Sequence, residues 1–282
     1  MSTVTLVGVI GPVEPELLTA WCRHYQEAGI ERFAVALHRV DVDKAAQDEL
    51  ATAMRETTGC APELTVTGPW HECVHGDLRD QLRARAGDGW HVIADSDEFQ
   101  QHVDGIGASL RAAEAGGQGV LGGLLLDRVA ADGSLPAWRA DVGLDRSYPL
   151  GGLLTHLVTR GEARKIVLAH SSVGLSPGNH RAPGRRPPSG TVVPVHHFKW
   201  RAGVESDLRR RIENFGTRWV EFDPAVRTEA ERLLTYVALN NGRIDVTHGP
   251  VLFRPVSLRD VPPWWDAEAR ALVREVEAVR GL

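Results

Sequence analysis

Cysteine is scarce in this chain, with three among 282 residues, and Cys22, Cys60 and Cys73 show no C-x-x-C spacing. An odd, scattered set of thiols excludes a disulfide framework and a structural zinc site, and it fits a reducing cytoplasm. Long apolar runs are missing as well. None approaches the roughly 20 residues needed to span a bilayer, so no transmembrane segment is expected. Met1 to Gly11 has no basic leader and soon meets Pro12, so it does not read as a signal peptide. Positive charge is not in excess: 32 Lys and Arg stand against 37 Asp and Glu, for a net charge of −5. A mildly acidic chain is not built to coat nucleic acid or an anionic membrane. The motifs G-x-G-x-x-G, G-x-x-x-x-G-K-[ST], H-E-x-x-H and G-x-S-x-G are all absent. Hydride transfer, P-loop hydrolysis, zinc proteolysis and serine-hydrolase chemistry lose weight accordingly.

What is present is an ordinary globular composition, 43% hydrophobic and 24% charged. Thr3 to Ile10 is β-rich and breaks at Gly11-Pro12. Pro15 to Ala28 carries Leu17, Leu18, Trp21, Cys22 and Tyr25 on one helical stripe, with Pro15 in the first turn and Gly29 at the end. Strands follow over Phe33 to Leu37 and Leu64 to Thr67, and helices over Asp43 to Thr57 and Asp77 to Ala86. A fourth strand begins at Trp90. This βαβαβαβ order predicts a doubly wound, mostly parallel sheet in an α/β fold, with every strand's carboxyl end on one edge. After Phe99 the alternation stops. A helix over Ile106 to Ala115 and strands over Gly119 to Leu126, Lys165 to Ala169 and Val192 to Trp200 are expected. Helices over Val204 to Asn214, Thr228 to Leu239 and Asp266 to Val279 form a C-terminal helical region. The stretch 130–155, with Trp138 and Tyr148, reads as a long functional loop, and 176–190 reads as a mobile Pro/Gly/Arg lid.

The chemistry concentrates at the end of the fourth strand, Trp90-His91-Val92-Ile93-Ala94-Asp95-Ser96-Asp97-Glu98-Phe99. The acids fall where ligands sit in open α/β sheets. In extended chain Asp95 and Asp97 face one way, and Ser96 and Glu98 the other. Two carboxylates side by side repel unless something positive lies between them, and a divalent metal is the usual answer. The plain alternative is an Asp capping the next helix. Mg²⁺ is commonly held by one or two carboxylates plus substrate phosphates, so the pair reads as half a site that a diphosphate completes. Glu98 is expected to orient the loop rather than to hold metal. Farther on, His196 and His197 face opposite sides of a strand, and only His197 shares the face of Lys199. With Arg201 they suit a diphosphate or a metal, or else a solvated basic edge. Asp127-Arg128 at a strand end reads as a general base or a substrate-holding pair, with a surface ion pair as the alternative. His180, between Asn179 and Arg181, reads as a loop histidine, and Arg181, Arg185 and Arg186 read either as a solvated loop or as cations that close over phosphates.

Trp90 to Phe99, as W-x-x-x-x-D-S-D-E-F, resembles the metal-binding motif of GT-A glycosyltransferases, in particular the family 2-like group with a D-x-D-E-F signature, which is also similar to family 92. Glu14 to Gly29 resembles that group's first helix, with Val13-Glu14 where an N-E pair usually leads. Asp127-Arg128, Asp132-Gly133, Lys165-Ile166-Val167, Gly178-Asn179-His180 and His197-Phe198-Lys199-Trp200 follow in that group's order, so the resemblance covers about residues 3 to 215. It implies a GT-A domain over 1–282, with a nucleotide-binding half (1–100), an acceptor and catalytic half (101–215) and C-terminal helices (216–282). It implies a nucleotide-sugar donor, usually a UDP-sugar, a small-molecule or glycan acceptor, and Mn²⁺ or Mg²⁺. Asp95 and Asp97 match the D-x-D, and a late His, first His197 and then His180, serves as third ligand. Glu14, Arg39, Ser96, His180, Lys199 and Arg201 become donor-binding residues. Asp127 becomes the general base of an inverting displacement, with Asp132 in reserve and the 130–155 loop shaping the acceptor pocket. One departure stands: where such enzymes carry D-x-S-x-D, this chain reads His38-Arg39-Val40-Asp41-Val42-Asp43, which leaves the base open. A nucleotidyltransferase using the same metal and diphosphate geometry, or a non-catalytic nucleotide-binding module, are the other readings.

Overall fold

A computed structural model describes residues 4–39, 44–188, 190–220 and 225–280. In chain order the strands are β1 (Thr5–Ile10), β2 (Arg32–Arg39), β3 (Leu64–Thr67), β4 (Trp90–Ile93), β5 (Glu98–Gln100), β6 (Val120–Val129), β7 (Leu150–Gly152), β8 (Arg164–His170), β9 (Val193–His197) and β10 (Arg254–Pro255). The α-helices are α1 (Pro15–Glu27), α2 (Lys44–Thr58), α3 (Glu72–Ala86), α4 (Gly105–Ala115), α5 (Leu144–Ser147), α6 (Val204–Thr217), α7 (Ala225–Leu239) and α8 (Trp265–Arg280). The fold class is α/β, as the alternation predicts. The segment Val40 to Asp43, which holds most of the departure from D-x-S-x-D, lies outside the described residues.

The chain forms two compact units, each assembled from separate segments: Met1–Leu124, Arg164–Val195 and Val261–Leu282 in one, and Leu125–Ala163 and His196–Asp260 in the other. The expected division at 100 and 215 follows chain order, whereas these units interleave along it. In the first unit β1, β2, β3 and β4 are parallel, in the order β4-β1-β2-β3. Thr5 of β1 pairs with Arg32 on one side and His91 on the other. β8 lies antiparallel to both β4 and β6. β1 and β4 are buried along their whole length, which explains why their sequences are apolar throughout rather than alternating. In the second unit β7 runs antiparallel to the end of β6 and to β10. Its core is built from residues such as Val129, Leu154, Leu208, Leu233 and Ile244.

Local chemistry explains where the elements differ from expectation. α3 starts at Glu72 rather than Asp77, because the His71 ring accepts a bond from the Cys73 amide at 3.0 Å and caps the helix. The 176–190 stretch is pinned in its first half rather than free. Arg79, buried in α3, donates to the carbonyls of Leu175 and Ser176 and to Asn179 Oδ1, at 2.7 to 3.0 Å. A composition rich in Pro, Gly and Arg marks a loop, but it does not reveal a buried guanidinium beneath it. Gly133 must be glycine: it sits at φ +70°, and a Cβ there would overlap the Ile244 carbonyl. Among the described residues no helix is long and apolar enough to cross a membrane.

One buried group makes the first unit sensitive to acid. His91 is 1% exposed and accepts a bond from Arg83 Nε at 3.3 Å. Burial, and then the Arg83 charge, push its imidazole down to about 4. Folded protein therefore keeps His91 neutral, while the unfolded chain takes up a proton below about pH 6.5. Stability should fall as pH drops from about 6.5 to about 4, by up to about 3 kcal/mol from this residue. Urea unfolding of His91→Gln should lose about one proton's worth of that slope; an unchanged slope would contradict the assignment.

Candidate functional site

The strand order 3-2-1-4 places β1 and β4 side by side where the winding direction reverses. Ligands of open α/β sheets bind outside the carboxyl ends of strands at such a point. β4 stops at Ile93, and the acids follow at once. They are not in extended chain: the Glu98 amide donates to the Asp95 carbonyl at 3.1 Å and closes a tight turn. Exposure still alternates. Asp95 and Asp97 are half-buried, while Ser96 and Glu98 are buried. Ser96, expected to bind donor, is therefore on the inner face of the turn. The stripe of α1 holds the turn's backbone from beneath. Trp21 Nε1 donates to the Asp95 carbonyl at 3.0 Å, and the Tyr25 hydroxyl to the Glu98 carbonyl at 3.0 Å. His24 Nε2 donates to the Gln100 carbonyl at 2.8 Å.

The positive charge that the acids require is supplied from within the chain. Lys165 Nζ lies 2.8 Å from Asp95 Oδ2, 2.8 Å from Glu98 Oε1 and 2.8 Å from the Gly178 carbonyl. Asn179 Nδ2 donates to the other Asp95 oxygen at 3.2 Å, and Arg79 fixes Asn179. Burial pushes the Asp95 carboxyl up, but the Lys165 ammonium overrides it and holds the group at about 2, with smaller pulls from His75 and His180. Burial also works against the Lys165 charge, yet Asp95 and Glu98 raise it above its ordinary value. His180 Nδ1 donates to the Arg164 carbonyl at 2.8 Å. Gly178 sits at φ +71° with the His180 ring against it, where a Cβ would collide.

The second unit holds a separate cluster on β6 and β9. Asp127 and Arg128 are both fully buried and do not pair with each other. Successive side chains on a strand point to opposite faces, and the same holds for His196 and His197. Asp127 thus meets His197, and Arg128 meets His196, on the two faces. The Asp127 carboxylate accepts from Thr155 N at 2.6 Å, and from Thr155 Oγ1, His197 Nδ1 and Trp200 Nε1, each at 2.8 Å. Arg128 donates to His196 Nδ1, to Asp145 and to the Tyr148 carbonyl. The surface ion pair is excluded for both, and Arg128 is a tie between chain segments. Nδ1 of His197 donates to Asp127, so Nε2 is the ring nitrogen through which a metal would be held.

The remaining expected residues fall as follows. Asp95, Asp97, Ser96, His180, Glu14 and Arg39 belong to the first unit, and Asp127, His197, Lys199 and Arg201 to the second. The Glu14 carbonyl accepts from Leu17 N and Leu18 N, so its backbone caps α1. Arg39 ends β2. Lys199 lies over the Trp200 ring at 5.0 Å, and Arg201 Nη1 donates to the Phe198 carbonyl. Tyr148 is 1% exposed, with its hydroxyl on the Pro136 carbonyl, so it belongs to the core rather than to an acceptor pocket. Asp132 is exposed and caps a turn through Ser134. Lys165, Asn179, Thr155 and Trp200 join these clusters without being expected site residues. A lone Lys opening an apolar strand was the available signal, since lysine is rarely buried without a partner.

The donor set fits a hard divalent cation. Asp95 and Asp97 offer carboxylate oxygens, and Asp95, which accepts from Lys165 and Asn179, keeps further lone-pair sites. Among the described residues no three His, Cys, Asp or Glu side chains are gathered into a metal cluster, so other ligands would come from substrate oxygens.

No known protein family matches the sequence, and no curated protein does. Among solved structures the chain is similar to Staphylococcus aureus TarS residues 1–349 in complex with UDP, at 9% identity and a TM-score of 0.34, over 88% of this chain and 74% of that one. It is similar to the mannosyltransferase PcManGT from Pyrobaculum calidifontis in complex with GDP-Man and Mn²⁺, at 13% identity and a TM-score of 0.38, over 99% and 87%. It is also similar to a UDP-glucose pyrophosphorylase complexed with UDP-glucose, at 12% identity and a TM-score of 0.27, over 82% and 88%. At these scores the likeness carries no argument, and the fold class rests on this chain's own strand order and registers.

The Asp127 cluster makes a stability prediction. Asp127→Ala strands buried donors on Thr155, His197 and Trp200, and should cost about 3 kcal/mol or more. Asp127→Asn keeps an accepting oxygen and should cost clearly less. Chemical unfolding measures both; an Asp127→Ala protein as stable as wild type would contradict the hydrogen bonds described.

Proposed function

We propose that the chain is a glycosyltransferase of the GT-A kind, moving a sugar from a nucleotide-sugar, a UDP-sugar first, to a hydroxyl acceptor by a single inverting displacement with Mn²⁺ or Mg²⁺. The observation that carries this reading is the acidic turn: two half-buried acids at the carboxyl end of β4, where the winding reverses, beside a buried Lys165-Glu98 pair. The D-x-D-E-F resemblance falls on this same turn. A bound divalent cation would screen the negative charge that develops on the leaving diphosphate. Asp97 would hold it, with Asp95 contributing from a carboxylate kept ionised by Lys165. In the other unit, His197 is proposed as a nitrogen ligand through Nε2, oriented by Asp127. Lys199 and Arg201 are proposed as phosphate-binding cations.

Asp127 takes a different part from the one its place at a strand end implies. A general base must reach the hydroxyl proton it accepts. A fully buried carboxylate that already receives bonds from three side chains and a backbone amide holds its neighbours instead. We therefore propose it as the positioning residue for His197, and the acceptor hydroxyl's proton then falls to the reserve base, the exposed Asp132. Glu98, buried under Asp95, orients the turn.

The test is a donor screen of UDP- and GDP-sugars with Mn²⁺, read by the nucleotide released. Nucleoside diphosphate is the expected product. Sugar 1-phosphate released from these donors, or pyrophosphate released when a nucleoside triphosphate and a sugar 1-phosphate are supplied instead, would establish attack on phosphorus and a nucleotidyltransferase. Asp97→Ala should fold normally and lose metal-dependent turnover by about a hundredfold or more. Full turnover in that variant would contradict the role of the turn.

A further inference from the structure

We propose that Lys165 is a positioning residue for Asp95, holding that carboxylate in the orientation in which the acidic turn presents it; its consequence for ligand binding rests on the transferase reading above. Neutralising Glu98 alone does not account for the arrangement. Lys165 and Glu98 side chains are each 3% exposed, and a single contact at 2.8 Å pairs their charges. Asp95 is 33% exposed and could be solvated instead. Yet the ammonium also bonds Asp95 Oδ2 and the Gly178 carbonyl, so all three of its protons are directed to fixed acceptors. The other Asp95 oxygen receives Asn179 Nδ2, and the Asn179 side chain is locked by Arg79. Both oxygens of a half-exposed carboxylate are thus held by buried donors that are themselves held. The turn's backbone has its own holds: Trp21 and Tyr25 bind its carbonyls, and Glu98 Oε2 accepts from the Asp95 amide at 3.4 Å. What Lys165 adds is the direction of one side chain, the pattern expected of a preorganised binding group with a supporting shell.

Lys165→Met alone would leave the buried Glu98 carboxylate without the Lys165 ammonium, so the informative protein is Glu98→Gln/Lys165→Met, which removes both buried charges together. Its thermal stability should lie near wild type. Its crystal structure should show the 94–98 backbone unchanged and the Asp95 carboxylate rotated or spread over several positions. UDP binding in the presence of Mn²⁺, measured by calorimetry, should be about ten- to a hundredfold weaker than wild type. If Asp95 keeps its place, the positioning role is overturned. If Asp95 moves but binding equals wild type, its consequence for ligand binding is overturned. If wild type itself binds no UDP with Mn²⁺, the transferase reading fails, while the Asp95 position still decides the role of Lys165. Should this pair not fold, Glu98→Met/Lys165→Met poses the same question with an apolar pair.

Discussion

The ammonium of Lys165 is the constraint on which the first unit's candidate site depends. It joins three pieces of chain that are distant in sequence: the acidic turn after β4, the start of β8, and the Gly178-Asn179 segment. Removing one partner of such a buried set is costly, because it leaves an uncompensated charge away from water. The surroundings show the same economy of fixed partners. Arg79 holds the 175–179 segment from one side, and α1 holds the turn's backbone from another. A carboxylate surrounded in this way stays ionised at any physiological pH and points in one direction. Both properties are what a binding group for a cation or a hydroxyl needs.

The second unit solves a related problem with the period of a strand. Asp127 and Arg128 are adjacent and fully buried, with opposite charges, and they ignore each other because the pleat turns them to opposite faces. His196 and His197 on β9 repeat the alternation, so each buried charge finds one imidazole. One face then becomes a tie between segments, through Arg128, Asp145 and the Tyr148 carbonyl. The other becomes a polar cluster of Asp127, His197, Trp200 and Thr155. A structural role and a proposed chemical one thus sit back to back on the same two residues of each strand.

The parallel half of the fold was legible because its signals are local. The apolar runs of β1 and β4, the stripe of α1 and Gly29 at its end are properties of a few neighbouring residues. The location of Asp95 and Asp97 follows from the strand that precedes them, and exposure still alternates, with Asp95 and Asp97 half-buried and Ser96 and Glu98 buried, even though the segment is a turn. The partners were not legible. Lys165 lies 70 residues from Asp95, and His197 lies 70 from Asp127; no periodicity reports which strands become neighbours. The two-residue alternation did separate His196 from His197, but only the pairing of β9 with β6 says that an acid waits for one and an arginine for the other. Tyr148 and the 176–190 stretch were misplaced for the same reason, since composition marks a loop without showing what anchors it.

In the proposed transferase the acidic turn receives a divalent cation together with a nucleoside diphosphate. A crystal grown with MnCl₂ and UDP, with data collected at the manganese edge, tests it most directly. An anomalous peak is expected within coordinating distance of an Asp97 carboxylate oxygen, with the diphosphate completing the shell. Bound UDP with no metal at the turn, or manganese only elsewhere, would contradict it.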